Sequence, residues 1–496
     1  MAHHPEPLHA LLFPYPTQGH MTPMMQFAKN LASKGLTVTF VTTHHTHRQI
    51  IKARSQSDQV DPIHQDAHNL DLDIRSAQIS DGLPLDFDRS AGFSDFIQAV
   101  DNMGGELERL IHNLNKTGPP ISCVIVDTML FWSLEVSKKL GIPWISFWTQ
   151  PTFVYSIYYY AHLVEAQRRS HYKGSGNEGN ILIDYIPGVP TLHPSDLPSF
   201  FNETDFDSQY ILDLFRKSFQ SSRRADWVLC NSFDDLESAE VNALMELQPP
   251  VLSVGPLLPS GYLKDESCDE EKRNGTTLLT EYDSSEWLDS KPKDSVIYVS
   301  FGSLIHVSKA QLGEIAMGLK DSGQPFLWAL RPDIVASTVS DCLPDGFMDE
   351  MGSQGLVVPW CNQLQVLSHP SVAGFITHCG WNSMLEGISL GVPMLGFPFW
   401  ADQFTNCKFM ADEWKLGFRV SGGGHAGDNK MIDRKVISTA IRKLFTDEGK
   451  EIKKNLAALK DSARAALRGG GSSDKNMDSF VRGLKALNAK LRGKED

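Results

Sequence analysis

Short apolar runs alternate with amphipathic stretches from the start of the chain. Runs at 8–14, 36–42, 72–79, 121–126 and 142–147 have the length and the Val, Ile, Leu and Phe content of buried strands. Between them, 23–33, 93–114 and 131–140 read as helices, with Gly35 and Gly141 where helices end. This is the alternation of βαβ units on a parallel sheet. An aromatic helical stretch at 152–167, a proline-punctuated loop region at 174–201 and short strands at 227–230 and 251–254 complete a first half. Residues 256–285 hold Pro, Gly, Ser and the charge run 265–273 without either period, and read as a linker. The alternation then restarts, with strands at 296–301, 326–330, 356–359, 372–377 and 393–397 and helices at 311–320 and 382–390. A helix-rich tail follows, broken at 469–473 and closed by an amphipathic helix at 477–491. The expected fold is α/β, with two doubly wound domains (1–255 and 286–470) joined by the linker. Residues 471–496 are expected to pack back on the first domain.

Composition narrows the partners. Lys and Arg number 46 against 60 Asp and Glu, a net charge of −14, which speaks against nucleic acid or an anionic membrane surface. A phosphate site here must be local, built from helix ends and backbone N–H groups. Seven scattered cysteines with no CxxC pair indicate neither a disulfide framework nor a zinc site, and fit a reducing compartment. No signal peptide and no apolar run of about 18 residues is present, so a cytoplasmic protein without membrane insertion is expected. The acceptor patterns at Asn115, Asn202 and Asn274 are then chance matches for glycosylation.

Candidate chemistry concentrates between Trp360 and Gln403. In an open parallel sheet ligands sit beyond the carboxyl ends of the strands, where each notable residue falls. Trp360 ends a strand and offers a flat face to a base, although a lone tryptophan is more often a packing residue. The run His378-Cys379-Gly380-Trp381-Asn382-Ser383 joins a strand to a helix start. Gly380 permits a tight turn, and the free N–H groups and helix dipole favour a diphosphate. Asn382 and Ser383 also suit plain capping, and His378 can add a donor. Glu386 lies three residues after Ser383, on the exposed face of the first turn, where a carboxylate can accept both hydroxyls of a ribose. Asp402 and Gln403 follow in the next strand-to-helix loop and can fork onto sugar hydroxyls. Ser303, after the strand at 296–301, can reach the phosphates.

A second constellation lies in the first half. His20 follows the first strand and Asp127 ends the fourth, and these strands are neighbours in a doubly wound sheet. Histidine titrates near neutrality and suits a general base, and a carboxylate beside it orients the ring and stabilises the imidazolium. A loop histidine alone is usually only solvated, and it is the pairing with Asp127 opposite a donor site that singles out His20.

The 360–403 stretch resembles the signature box of the plant family 1 UDP-glycosyltransferases, and the similarity covers essentially the whole chain. The resemblance implies the GT-B fold, two Rossmann-like domains facing across a cleft. It implies an inverting transfer of glucose from UDP-glucose, a co-substrate, to a hydroxyl or carboxyl of a small lipophilic acceptor by a monomer. No cofactor or metal is implied. Trp360 is then expected to stack on uracil and the backbone of Cys361 and Gln363 to read its edge. His378, Gly380, Trp381, Asn382 and Ser383 would hold the diphosphate with Ser303, Glu386 the ribose, and Asp402 and Gln403 the hexose. His20 would be the base and Asp127 its partner. Cys361 stands where Ala is commoner and Asn362 where Pro is usual, while Gln403 resembles glucose-preferring members. Alternatives are another UDP-sugar, C- or N-glycoside formation, or a UDP-sugar-binding protein without turnover.

Other motifs read as structural. Asp71-Leu-Asp73 has metal-site spacing but lies far from the donor stretch, and His44-His45-Thr-His47 lacks a completing ligand. Gly422–Gly424 reads as a surface loop. Phe153, Tyr155, Tyr158, Tyr159 and Tyr160 read mainly as core, with some lining an acceptor pocket.

Overall fold

The computed structural model describes residues 8–53, 61–89, 92–172, 182–263, 281–303, 305, 307–331, 343–420 and 431–492. The first sheet comprises β1 (His9–Phe13), β2 (Thr37–Thr43), β3 (Ile74–Ile79), β4 (Cys123–Asp127), β5 (Trp144–Trp148), β6 (Trp227–Cys230) and β7 (Val251–Ser253). All pairs are parallel, in the order β3-β2-β1-β4-β5-β6-β7. The second sheet comprises β8 (Val296–Ser300), β9 (Phe326–Ala329), β10 (Gly355–Val358), β11 (Val372–Thr377), β12 (Met394–Gly396) and β13 (Gly417–Arg419). Its order is β10-β9-β8-β11-β12-β13, again parallel. Every residue of β1, β2, β4, β5, β8 and β11 is buried, as expected of strands covered by helices on both faces. Both sheets reverse their strand order between the first and fourth strands, so each opens a crevice at the β1/β4 and β8/β11 ends.

The boundaries depart from the sequence reading in instructive places. The helix expected at 23–33 begins at Gln18 and carries Pro23 inside it. The helix expected at 93–114 is two, Phe93–Asp101 and Gly104–Thr117, because Asn102 turns its amide onto Gln98 O and ends the first. The stretch at 152–167 likewise splits at Tyr160 into Thr152–Tyr159 and Ala161–Tyr172. The helix Phe206–Ser222 and the strand β13 were not foreseen. His44–Ala53 forms a helix, and Asp73 pairs with Thr37 and Arg75. The charge run 265–273, Asn274 and the Gly422–Gly424 loop lie outside the described residues.

The last helix, Ser472–Arg492, starts five residues earlier than the periodicity suggests and lies against the first half. Met477, Phe480, Val481 and Leu484 join the apolar cluster of β1 and β2, and Phe480 meets Trp227 edge-on. Lys34 pairs with Asp474 and Asp478, and Ser473 Oγ donates to Gly255 O. Apolar and polar contacts also clamp the two halves directly. Phe153 stacks on Phe409 at 3.6 Å, Phe200 meets Trp400 edge-on, and Arg419 reaches Asp196. Phe153, Tyr155 and Tyr158 are therefore core, and Tyr159 stacks under Arg223.

Candidate active site

The two halves enclose a cleft of about 280 Å³. From the first half, His20 and Thr149 line it. The second contributes Ser303, Trp360, Cys361, Gln363, His378, Gly380, Trp381, Asn382, Ser383, Glu386, Asp402 and Gln403. Every donor-side residue singled out in the sequence reaches this one cleft.

His20 and Asp127, 107 residues apart in sequence, meet at 2.6 Å through Nδ1 and Oδ2. Thr149 Oγ1 lies 3.2 Å from the same ring nitrogen. The carboxylate is 2% exposed and the imidazole 18%. Nδ1–H donated to Asp127 leaves the Nε2 lone pair as the basic end. Burial alone would lower the histidine pKa, but the charge and hydrogen bond of Asp127, with Asp402 across the cleft, outweigh it and hold it above the usual value.

The helix Trp381–Leu390 presents its N-terminus to the cleft, next to the end of β11. The sequence reading assigned the tight turn to Gly380, yet the left-handed residue is Cys379, with φ of 64°, and Gly380 is extended. Gly380 is required for space instead. A Cβ there would stand 2.3 Å from His378 Nε2, and one on Gly302 2.7 Å from the same ring. The imidazole of His378 is thus held between two glycines. Burial pushes its pKa down to about 4, so it is a neutral imidazole.

Other expectations change in detail. Trp381 does not aim its indole at the cleft: Nε1 donates to Asn231 O at 2.7 Å, and the ring packs against Phe153 and Trp414. Only its backbone remains for a phosphate. Asn382 Nδ2 donates to Gly19 O at 2.6 Å, in the loop that carries His20. Glu386, expected on an exposed face, is only 8% exposed. Gln363 Nε2 donates to both Ser383 Oγ (2.9 Å) and Glu386 Oε2 (2.7 Å), which confirms that the last two share a face. Burial raises the Glu386 pKa to about 7 despite that hydrogen bond. Asp402, raised to about 6 by burial, is tied through Oδ2 to Asn406. Gln403 Oε1 accepts from the N–H groups of Phe399 and Trp400.

The residues at 361 and 362 are accommodated locally. Asn362 caps the helix Gln363–Ser368 by accepting from Gln365 N, doing with a side chain what a proline does with its fixed φ. The Cys361 thiol is buried beside Tyr298. Tyr298 is a residue the sequence did not reveal. Its hydroxyl donates to Gln363 Oε1 at 3.3 Å, fixing the amide that holds Glu386. In sequence it is one more apolar position of a buried strand, with no pattern to distinguish it. Thr149, at the end of β5, was missed for the same reason.

Comparison with known proteins identifies the family. The pattern of the glycosyltransferase N-terminal domain matches residues 6–140, and that of the UDP-glucoronosyl and UDP-glucosyl transferases matches residues 205–461. The chain belongs to this UDP-glycosyltransferase family. UDP-glycosyltransferase 86A1 of Arabidopsis thaliana is 39% identical to this transferase over 479 residues, 95% of this chain and 94% of that protein. The 7-deoxyloganetin glucosyltransferase of Gardenia jasminoides is 36% identical over 494 residues, 97% and 98% of the two chains. The crystal structure of Os79 from O. sativa in complex with UDP superposes with a TM-score of 0.78 at 30% identity, covering 97% of this transferase and all of that chain. The transferase thus has the GT-B arrangement of two Rossmann-like domains. Among the described residues no helix is long and apolar enough to cross a membrane.

Proposed function

We propose that this transferase moves glucose from UDP-glucose to a hydroxyl or carboxyl oxygen of a small lipophilic metabolite, with inversion at the anomeric carbon. The observation that carries the reading is the 2.6 Å His20–Asp127 pair at the lip of a cleft whose far wall is the Trp381 helix end. His20 Nε2 takes the acceptor proton as the acceptor oxygen bonds to C1. The bond from C1 to the diphosphate oxygen breaks in the same displacement, and UDP leaves with the electron pair. The free N–H groups of the Trp381–Leu390 helix, neutral His378, Asn382, Ser383 and Ser303 receive the diphosphate. Trp360 stacks on the uracil, whose edge meets the backbone of Cys361 and Gln363, and Glu386 takes the ribose. Asp402 Oδ1 and Gln403 Nε2 have no side-chain hydrogen bond among the described residues and supply one acceptor and one donor to the hexose.

The leaving group's charge falls on helix and side-chain donors, a role that needs no metal, so EDTA is expected to leave the rate unchanged. The five buried free thiols among the described residues suit a reducing cytoplasm, and we propose a monomer there. A binding protein without turnover needs no base, so the His20–Asp127 pair argues against it. The test is incubation of the purified protein with UDP-glucose, UDP-galactose or UDP-glucuronate and a panel of phenolic, terpenoid and fatty-acid acceptors. Hexose mass addition from UDP-glucose supports the proposal. Glucose released only to water, or faster use of another UDP-sugar, overturns it.

A further inference from the structure

In an α-helix the carbonyl of residue 19 accepts the N–H of residue 23. Residue 23 is Pro23, which has no N–H, although the helix Gln18–Ser33 runs through it. Gly19 therefore carries an orphan acceptor in the first helical turn, next to His20. The structure fills it from the opposite half, where Asn382 Nδ2 donates to Gly19 O at 2.6 Å. Asn382 is the second residue of the helix whose N-terminus faces the cleft. A primary amide has two hydrogens on one nitrogen, so a bond to Gly19 leaves the other for a phosphate oxygen. The adjacent Trp381 makes a parallel connection to Asn231 O. His20 itself has little freedom once its backbone is set, because Nδ1 must meet Asp127 and Thr149.

We propose that Pro23 and Asn382 are positioning residues: the proline leaves the Gly19 carbonyl open so that Asn382 joins the His20 turn to the diphosphate end of the donor helix. A UDP-sugar that holds the Asn382 amide then also holds the base at its working distance from the anomeric carbon. This rests on the reading of His20 as base and adds a route by which donor binding sets its position.

Two variants separate this role from that of an ordinary strut between halves. Pro23→Ala restores an N–H at position 23, which claims Gly19 O within the helix, and leaves every donor-side group in place. It is expected to lower kcat by about tenfold to a hundredfold, the scale of a small misplacement of a catalytic group. The KM for UDP-glucose should change less than about twofold, and the melting temperature should not fall, because alanine favours the helix. Asn382→Asp, isosteric but without N–H donors, should lower kcat at least as far and weaken UDP binding as well. The double variant should have the kcat of Asn382→Asp alone, since both changes break one bond. Wild-type kcat in Pro23→Ala, or a fall matched by an equal rise in KM, overturns the proposal. NMR titration of the His20 ring without donor gives an independent readout. Its pKa should move toward the free value in Pro23→Ala as the Asp127 contact loosens, and an unmoved titration overturns the link. That readout stands even if UDP-glucose proves not to be the donor, so failure of the proposed function is distinguishable.

Discussion

Each half places a histidine at its strand-order reversal, beyond the first strand in one sheet and beyond the fourth in the other, and gives it opposite properties. The second sheet repeats the first in strand order, with β8 in the position of β1 and β11 in that of β4. In the first half the β1 end supplies His20 and the β4 end supplies Asp127, and the carboxylate keeps the imidazole basic against burial. In the second, the β11 end supplies His378 and the β8 end supplies Gly302, whose missing side chain makes room for the ring. No carboxylate opposes burial there, and the pKa falls to about 4. On the proposed mechanism one half thus presents the base, and the other a neutral imidazole beside the helix N–H groups that would receive the diphosphate. The same fold holds one histidine above its usual pKa and the other below it, according to whether a carboxylate faces the ring.

The comparison can be broken most forcefully at its basic end. His20→Ala should lower kcat by about 10²- to 10⁴-fold, the usual range for a general base, while calorimetry finds UDP affinity unchanged. Wild-type turnover would remove His20 from the mechanism. At the anion end, Glu386→Gln should weaken UDP binding by about tenfold to a hundredfold, the scale of a hydrogen bond to a charged group. The pKa of about 7 adds a pH signature. Ribose hydroxyls donate to the carboxylate, so binding favours the ionised form, and the affinity for UDP-glucose, whose diphosphate has no pKa near neutrality, should fall as pH drops below about 7. Glu386→Gln should abolish that slope; a slope retained in the variant would place the ribose elsewhere. Tyr298→Phe removes the hydroxyl that fixes Gln363 and should cost about fivefold in UDP affinity, near 1 kcal/mol, with kcat little changed at saturation. An unaltered affinity would make that hydrogen bond incidental.

Much of this was legible in the sequence because strand ends in a doubly wound fold are predictable, and so is their chemistry. The apolar runs located β1, β4, β8 and β11 to within a residue or two, which is enough to bring His20 to Asp127 and His378 to the cleft. What could not be read was the use of side chains across the gap. Trp381 and Asn382 suit a phosphate by position, yet their N–H groups hold Asn231 and Gly19, contacts set by how two domains dock. Glu386 looked exposed because nothing in helical spacing shows that Gln363, from the preceding helix, lies on its carboxylate. Gly380 was given a turn to make when its neighbour's imidazole needed the space. The start of the Gln18–Ser33 helix was misread because Pro23 suggests a first turn, and here it lies in the second.

The central claim is that Asp127 makes His20 the base. The most direct measurement is the pH dependence of kcat for wild type and Asp127→Asn with saturating UDP-glucose and one acceptor. A base works when neutral, so the rate should rise with pH through the His20 pKa. In wild type that acid limb should lie above pH 6.5, where Asp127 holds it. In Asp127→Asn burial is no longer opposed by that charge, so the limb should move to lower pH while the plateau rate falls. Coincident acid limbs in the two proteins would contradict the account.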